Sequence, residues 1–310
     1  MKARNLQFLE PLESRIAPAG LAYSDSLGAY TYGSVSTKGG AVKLLPDLTE
    51  PTWTDASTLE FQGDNSNNFS VHFSKNVRDI FGSSTDSIFS FEDISGGGHK
   101  LDSIDLTHLG VDPKKLNGLS ITISGGIDEI YAAGTDLGKI TVGGALGKIT
   151  AGDTNVKTQG VKSLSVDSLG LADGSEPSDI SAITSHITGS MGNLLVTHDI
   201  AKAVLTIGGS ANANLRNVEI GGSLIGGNAD WSGSIYAQGD ITHVTVGGDL
   251  VGGAGQDSGV IVAGHNLNSV MIHGDVKGGA GDYSGVVQSN GKLNTVHLDG
   301  SLMGGDGSHS

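Results

Sequence analysis

The chain of 310 residues contains no cysteine, which excludes disulfide bonds as a source of its stability. Charged residues make up only 16% of it, and Gly, Ser, Thr and Asn take their place. It also lacks any apolar run long enough to span a membrane. The stability of the fold therefore has to come from the packing of short apolar segments and from backbone hydrogen bonds.

Positive charge is scarce as well, because 18 Lys and Arg residues stand against 33 Asp and Glu residues, giving a net charge of −15. Nucleic acids and anionic membrane surfaces attract basic proteins, so neither is an expected partner of this chain. An excess of acidic residues favours solubility and is compatible with cation binding.

Glycine, in contrast, is abundant, with 50 residues. Since each glycine costs about 1 kcal/mol in a helix relative to alanine, helical repeats are excluded. From residue 218 the sequence repeats every 26 residues, and the copies start at Val218, Val244, Val270 and Val296. A fixed period of this length indicates a stacked architecture.

Within each copy, apolar and polar residues alternate over short segments, which is the pattern of a half-buried strand. Glycine separates these segments where the backbone has to turn sharply. The predicted fold class is all-β, a right-handed parallel β-helix or β-solenoid with coils of about 26 residues and about three short strands per coil. Each strand is expected to pair with the same strand of the next coil, about 4.8 Å away.

Five columns of apolar residues are predicted to line the interior of this solenoid, because they recur at the same place in every copy. They are Val218, Val244, Val270 and Val296; Ile220, Val246, Ile272 and Leu298; Leu224, Leu250, Val276 and Leu302; Ile235, Ile261 and Val287; and Ile241, Leu267 and Leu293.

A weaker form of the strand pattern extends upstream to about residue 101. It occurs as LDSIDL, LNGLSI, IDEIYA, LGKITV, LGKITA, VKSLSV and ISAITS, at spacings of 9 to 19 residues. We predict irregular coils over residues 101–217 and regular coils over residues 218–310.

The last copy is incomplete and ends at Ser310, which aligns with Ser232, Ser258 and Ser284. A solenoid that stops in mid-coil exposes an open edge. We therefore expect the chain to be a fragment of a longer protein, or to stack its end on another copy of itself.

Residues 21–100 differ from the rest, because most of the aromatic residues lie there, including Trp53, Phe61, Phe69 and Phe89. Segments such as AYTYGSVS and FSVHFS read as strands between polar turns. Two interpretations remain open: a β-rich cap on the open end of the solenoid, or a small separate β domain.

The first twenty residues begin basic and end in an Ala-Pro-Ala sequence that looks like a signal-peptidase site. Glu10, Glu13 and Arg15 interrupt the apolar stretch that a secretory signal needs, so physically this is a poor one. Residues 1–20 are interpreted instead as an N-terminal export or sorting motif.

The segment FLEPLESRIAPAG resembles the LEPR-type motif, roughly L-E-x-R-x-L-x-A, of large exported bacterial surface proteins that carry glycine-rich β-solenoid repeats. The matching residues are Leu9, Glu10 and Pro11 in one register, and Leu12, Glu13, Arg15, Ile16 and Ala17 in the other. The chain departs from the motif at its end, where Ala-Pro-Ala replaces the usual leucine and serine. The resemblance implies export and a structural role at the cell surface or in the extracellular space.

Four aspartates in the glycine-rich turns, Asp230, Asp257, Asp282 and Asp306, are candidate calcium ligands. The turn that starts at Gly252 matches the beginning of a calcium-binding nonapeptide, G-G-x-G-x-D, although its neighbours depart from it. Carboxylates stacked on one edge of a solenoid repel each other unless a cation screens them. The alternative is a solvated turn without a bound ion, and no other cofactor is predicted.

Three aromatic residues in or beside the same turns, Trp231, Tyr236 and Tyr283, are candidate glycan contacts, because exposed rings can stack on sugar rings. They could equally pack over neighbouring glycines.

Histidines are weaker candidates for a metal or catalytic site. His243, His265, His273 and His297 fall in four different columns and cannot form a stacked ladder of ligands.

No residues stand out as catalytic. A polysaccharide-cleaving β-helix needs paired acids, or acids with Lys or Arg, in a groove on one face. Asp199, Glu219 and Asp240 are scattered, and Lys202 and Arg216 are the basic residues between Lys162 and Lys277.

The function predicted from the sequence is a non-enzymatic, exported structural or adhesive β-solenoid at the bacterial cell surface. The expected partners are surface glycans or further copies of the chain stacked end to end. The alternative is a carbohydrate-active β-helix that binds or cleaves polysaccharide.

Overall fold

The computed structural model of the chain is almost entirely β, and its strands stack in parallel coils that form a β-solenoid. It describes residues 21–24, 29–32, 35–38, 41–44, 51–63, 68–81, 88–94, 98–107, 111–155, 157–170 and 183–310. The predicted fold class is therefore confirmed, whereas the motif predicted over residues 1–20 lies outside the described residues. In the described part of the chain, no helix has the length and apolar character needed to cross a membrane.

The first face of the solenoid is a parallel sheet of eight strands, one from each coil. These strands are Leu119–Ile123, Leu137–Val142, Gln159–Val166, Ser190–Val196, Leu215–Ile220, Ile241–Val246, Leu267–Ile272 and Leu293–Leu298. In the regular coils the register follows the period without a slip, since Leu215 pairs with Ile241, Ile241 with Leu267 and Leu267 with Leu293.

The other two faces consist of shorter strands. The second face contains Ser168–Gly170, Ile200–Ala201, Leu224–Ile225, Leu250–Val251, Val276–Lys277 and Leu302–Met303. The third face contains Thr184–Thr188, Val204–Gly208, Ser234–Ala237, Ile261–Ala263 and Val287–Ser289. Each regular coil thus contributes three strands, as the repeat predicts.

The irregular coils explain why the upstream motif recurs at short intervals. Strands Gly98–Asp105, Ile127–Ala133 and Ala145–Gly152 lie in a second sheet, opposite the first face, and pair in parallel. Ala145–Gly152 is long enough to pair with both Ser168–Gly170 and Thr184–Thr188. From the next coil onward, the second and third faces take the place of this one long strand. Successive copies of the motif therefore alternate between two sheets, and each coil contains two of them.

The described strands between residues 52 and 94 extend the sheets of the solenoid rather than forming sheets of their own. Strands Thr52–Trp53, Thr58–Gln62 and Asn68–Phe73 continue the first face in antiparallel order. Strand Phe89–Ile94 pairs antiparallel with Gly98–Asp105. Helix Val77–Phe81 and the 3-10 helix Pro113–Lys115 are the helical segments of the described residues. Strands Leu21–Ser24 and Ala29–Tyr32, and strands Val35–Lys38 and Ala41–Leu44, form two separate antiparallel pairs.

Aromatic rings fill the core beneath these antiparallel strands. The Phe61 and Phe69 rings stack with 5.7 Å between their centroids, and the Trp53 and Phe89 rings lie 5.7 Å apart at a tilt. Phe61, Phe73 and Phe89 are buried in the same hydrophobic cluster as the coil interior.

Apolar ladders fill the interior of the regular coils. The side chains of Val218, Val244 and Val270 are buried, and so are those of Leu224 and Leu250. In the last coil of the described stack the same columns end in Val296 and Leu302, which are 47% and 76% exposed.

Polar side chains at the corners hold successive coils in register. At the corner before the second face, Asp249 Oδ1 accepts the backbone N–H of Asp275 at 2.7 Å, and Asp275 Oδ1 accepts that of Ser301 at 2.9 Å. Before the first face, Asp240 Oδ1 accepts the N–H of Asn266 at 2.8 Å. A buried or half-buried backbone N–H needs a partner, and these side-chain oxygens supply it where the strand pairing is interrupted.

Val270→Asp tests whether the first apolar column is interior. Val270 has no exposed surface, so a carboxylate there would be buried without a partner, and we expect the free energy of unfolding to fall on the order of 4 kcal/mol. The matched control is Met271→Asp on the outward side of the same strand, where the side chain is 37% exposed. Chemical denaturation measures both. Equal losses in the two variants would contradict the assignment of inside and outside.

Candidate functional site

The most distinctive surface of the solenoid is a ridge of stacked loops between the second and third faces. We define the loop ridge as residues 226–233, 252–259, 278–285 and 304–310. Each loop follows a two-residue strand of the second face, and the first three lead into a strand of the third face. The ridge contains the four candidate calcium ligands and two of the three candidate glycan contacts.

A buried serine closes each of the first three loops of the ridge. Ser232, Ser258 and Ser284 have no exposed surface, and each Oγ accepts a backbone N–H from the glycine five residues earlier at 2.8 Å. The hydroxyl of Ser232 also donates to the carbonyl of Ala229 at 2.6 Å. The recurring serine is therefore a structural residue, because it satisfies backbone groups that the loop would otherwise bury unpaired.

A glycine next to this serine is required by the backbone. Gly233, Gly259 and Gly285 have φ angles of 64°, 63° and 69°, in the left-handed region. A Cβ atom on Gly233 would lie 2.1 Å from the carbonyl oxygen of Ile225. No side chain fits there without moving the backbone.

At the outer tip of the ridge, four residues that are not glycine also have left-handed backbones. Trp231, Asp257, Tyr283 and His309 have φ angles of 64°, 53°, 55° and 60°, and they occupy one column at 26-residue intervals. Each such residue costs on the order of 1–2 kcal/mol. Hydrogen bonds to the next coil hold the column in place, since the N–H groups of Trp231, Asp257 and Tyr283 donate to carbonyls at 2.8 to 2.9 Å.

The candidate glycan contacts form two separate aromatic surfaces. Trp231 is 41% exposed, and its ring meets that of Tyr236 edge to face with 6.4 Å between the centroids. Tyr283 is 42% exposed and stacks on the imidazole of His309 at 4.7 Å, with the rings 3° from parallel. Trp231 and Tyr283 belong to coils two apart, which separates them by about 9.6 Å along the axis at about 4.8 Å per coil.

The candidate calcium ligands all lie on the ridge, but at three different positions of the loop. Asp230 and Asp282 share one column and are two coils apart, with Gln256 between them. Asp257 lies in the neighbouring left-handed column, and Asp306 precedes both positions.

Two of these carboxylates already have backbone partners. Asp230 Oδ1 accepts the N–H of Gln256, and Asp282 Oδ1 accepts the N–H of Ser308, both at 2.8 Å. Within the described ranges, no group of three or more His, Asp and Glu side chains has an arrangement that could hold a metal ion. Calcium binding at the four aspartates stays a prediction.

Two of the histidines share one carboxylate, although they belong to different columns. His273 Nδ1 lies 2.7 Å from Asp299 Oδ2, and His297 Nε2 lies 2.7 Å from Asp299 Oδ1. These two hydrogen bonds, from His273 first, lower the pKa of Asp299. The side chains are roughly half exposed, so the cluster is a surface feature of the last two coils.

A single lysine of the second face bridges two stacked carboxylates at the corner before that face. The Lys277 ammonium lies 2.5 Å from Asp249 Oδ2 and 3.1 Å from Asp275 Oδ2. Its hydrogen bonds to Asp249 and then Asp275 raise the pKa of Lys277. The pKa of Asp249 is lowered mainly by Lys277, and that of Asp275 mainly by the backbone N–H of Ser301 and then by Lys277.

The acids considered for catalysis are kept apart by the fold. Asp199 and Asp240 lie at two different corners, and their Oδ1 atoms accept backbone N–H groups of Ser223 and Asn266. Glu219 faces outward on the first face, where it pairs in register with Leu195 and Thr245. The three side chains therefore do not converge on a common site.

The sequence reading missed the roles of the buried serines and the corner acceptors. A signal was present, because Ser232, Ser258 and Ser284 recur at one position of the repeat without exception. In a solenoid, a polar residue that recurs without variation indicates a hydrogen bond within each coil.

No known protein family, curated protein or solved structure matches the chain.

Lys277→Gln should lower thermal stability at neutral pH, because two neighbouring carboxylates would then face each other without a cation. The folded-state pKa values of Asp249 and Asp275 lie below 3.8, so their contribution is present above that pH and is lost as pH falls through the lowered values. The folded-state pKa of Lys277 lies above 10.5, so its contribution is present below that pH and is lost as pH rises through the raised value. The melting-temperature difference from wild type should therefore be largest between these limits and shrink beyond either one.

The matched control for this series is Lys292→Gln, which removes the same charge from an exposed lysine near the end of the chain. Thermal melts followed by circular dichroism across the pH range measure both variants. A Lys277→Gln difference that does not change between neutral and acidic pH, or one that Lys292→Gln reproduces, would contradict the bridging role.

Proposed function

We propose that the protein is a non-enzymatic, exported structural or adhesive β-solenoid whose loop ridge binds glycans at the bacterial cell surface. The stack supplies a stiff support that repeats about every 4.8 Å. The ridge supplies exposed aromatic rings at fixed positions on that support. Binding is then a matter of matching the spacing of the rings to the spacing of sugar units along a chain.

The observation that carries this proposal is the pair of exposed rings in the left-handed column. Trp231 and Tyr283 are two coils apart, about 9.6 Å along the axis, which is close to the length of a disaccharide. Aromatic faces stack on the apolar faces of sugars, and two of them at this spacing can engage alternate units of one chain. Tyr236 widens the surface at the Trp231 end through its edge-to-face contact.

The column itself argues against a purely structural role for the rings. Asp257 adopts the same left-handed backbone between Trp231 and Tyr283 without any ring, so the loop does not need an aromatic residue to form. A bulky residue in this conformation is strained, and strain of this kind concentrates at functional positions. Both rings are nevertheless about 40% exposed and so offer surface to a ligand.

Export and surface location are part of the same proposal and rest on the N-terminal resemblance. The absence of cysteine and the low content of charged residues are compatible with it. We also propose that copies of the chain associate with each other by stacking end to end. The alternative function, cleavage of polysaccharide, has less support because Asp199, Glu219 and Asp240 do not converge.

Replacement of the two rings by glycine separates binding from stability. Trp231→Gly and Tyr283→Gly remove the rings and relieve the left-handed strain, so we expect weaker retention on insoluble polysaccharides with little loss of melting temperature. The double variant should lose most of the binding that the wild type shows. Met271→Gly, which removes an exposed apolar side chain from the first face, is the control and should bind as wild type.

Co-sedimentation with a panel of neutral and acidic polysaccharides is the measurement. Retention of binding by the double variant would contradict the role of the ridge. Shortening of any polysaccharide during the same incubation, detected as new reducing ends or unsaturated products, would favour the enzymatic alternative.

A further inference from the structure

The first face carries an open cleft of about 510 Å³ among the irregular coils, remote in sequence from the loop ridge. Its polar lining comes from Ser120, Asp136, Lys139, Gln159, Lys162 and Ser163. These residues belong to three successive strands of the first face and to the turn before the second of them.

The cleft exists because glycines and bulges interrupt the regular surface there. A Cβ atom on Gly138 would lie 2.5 Å from Ser120 Oγ and 2.6 Å from the carbonyl oxygen of Gly118, so the floor has no room for a side chain. The pairing register shifts between Leu119 and Ile121 on one side, and between Gln159 and Val161 on the other. Bulges of this kind re-aim side chains and are common beside binding sites.

Two lysines in the cleft have no acidic partner among the residues that the structure describes. Lys139 pairs in register with Ser163, the neighbour of Lys162, so the two lysines lie on adjacent strands one residue out of register, and both line the cleft. Both are exposed, and neither forms an ion pair with a carboxylate in the described part of the chain. Lys100, Lys148 and Lys277, by contrast, are all neutralised by carboxylates. In a chain of net charge −15, a pair of free ammonium groups in a cleft marks a site for an anion.

The remaining polar groups indicate what kind of anion fits. Asp136 is buried at the cleft, and its Oδ1 accepts the backbone N–H of Asp153 at 3.1 Å. A carboxylate there favours an anionic ligand that also carries hydroxyl groups, because it can accept hydrogen bonds from them. Gln159 and the two serines add neutral donors and acceptors. Among the described residues no aromatic ring lines the cleft, so they offer no surface for stacking nucleobases.

We infer that this cleft binds a short stretch of a carboxylated polysaccharide, with Lys139 and Lys162 taking carboxylates of the sugar chain and Asp136 accepting a sugar hydroxyl. The shared chemistry is a carboxylate beside hydroxyl groups, which a polyuronate chain and a free uronic acid both present. A chain can engage both lysines at once, whereas a monosaccharide engages only one. The cleft is independent of the loop ridge, because the two surfaces share no residue.

Titration calorimetry of the full chain with a trigalacturonate in the presence of a chelator tests this inference. We expect Lys139→Gln and Lys162→Gln each to weaken binding at least about fivefold, since each removes a charge-assisted hydrogen bond. Lys292→Gln is the matched control, removes the same charge at the opposite end of the stack, and should bind as wild type. Added salt should weaken wild-type binding, because the cleft is open to solvent.

Three ligand comparisons identify the chemistry. The fully methyl-esterified trisaccharide has the same shape without charge and should not bind detectably, and monomeric galacturonate should bind much more weakly than the trimer. Equal binding of the esterified and free trimers would overturn the inference, as would unchanged binding by the Lys139→Gln/Lys162→Gln double variant. Displacement of the trimer by a single-stranded oligonucleotide of equal charge would overturn it in favour of a phosphate polymer. The Trp231→Gly/Tyr283→Gly variant should bind the trimer normally. The proposals for the cleft and for the loop ridge are therefore tested independently of each other.

Discussion

The structure depends on one constraint: every backbone N–H at a corner of the coil must find an acceptor although the strand has ended there. Acidic, amide and hydroxyl side chains solve this by accepting the N–H of the same position in the next coil, as Asp249 and Asp275 do at one corner and Asp240 at another. The accepting side chain has to be short, and it has to recur at the same position of successive coils. This requirement fixes the register between coils, and with it the alignment of the apolar columns in the interior.

The same constraint determines where binding surfaces can lie. At the regular corners, acids and amides accept backbone N–H groups of the neighbouring coil, so these side chains are partly occupied. The two proposed binding surfaces lie where exposed side chains are free of this role. The loop ridge is one such place, because Trp231 and Tyr283 project from left-handed backbones. The cleft around Lys139 and Lys162 is the other, because bulges and glycines open the sheet there.

The interior of the regular coils could be predicted from the sequence, because a stack places Val218 and Val270 in equal surroundings and repetition makes the pattern visible. The irregular coils were harder, since the upstream motif alternates between two sheets and its spacing does not equal one coil. The role of Asp240 could not be predicted, because an aspartate that accepts a backbone N–H and one that faces water look alike in sequence. The cleft depends on a register shift at Leu119 that no periodicity reveals.

Removal of one whole coil tests the central claim that the 26-residue register holds the structure together. Deletion of residues 244–269 joins His243 to Val270 and keeps every column and corner aligned. We predict a protein that unfolds cooperatively and keeps its β circular dichroism spectrum, at a moderately lower melting temperature. Deletion of residues 244–256 alone breaks the register and should abolish cooperative unfolding. Loss of the fold in both deletions, or its survival in both, would contradict the account.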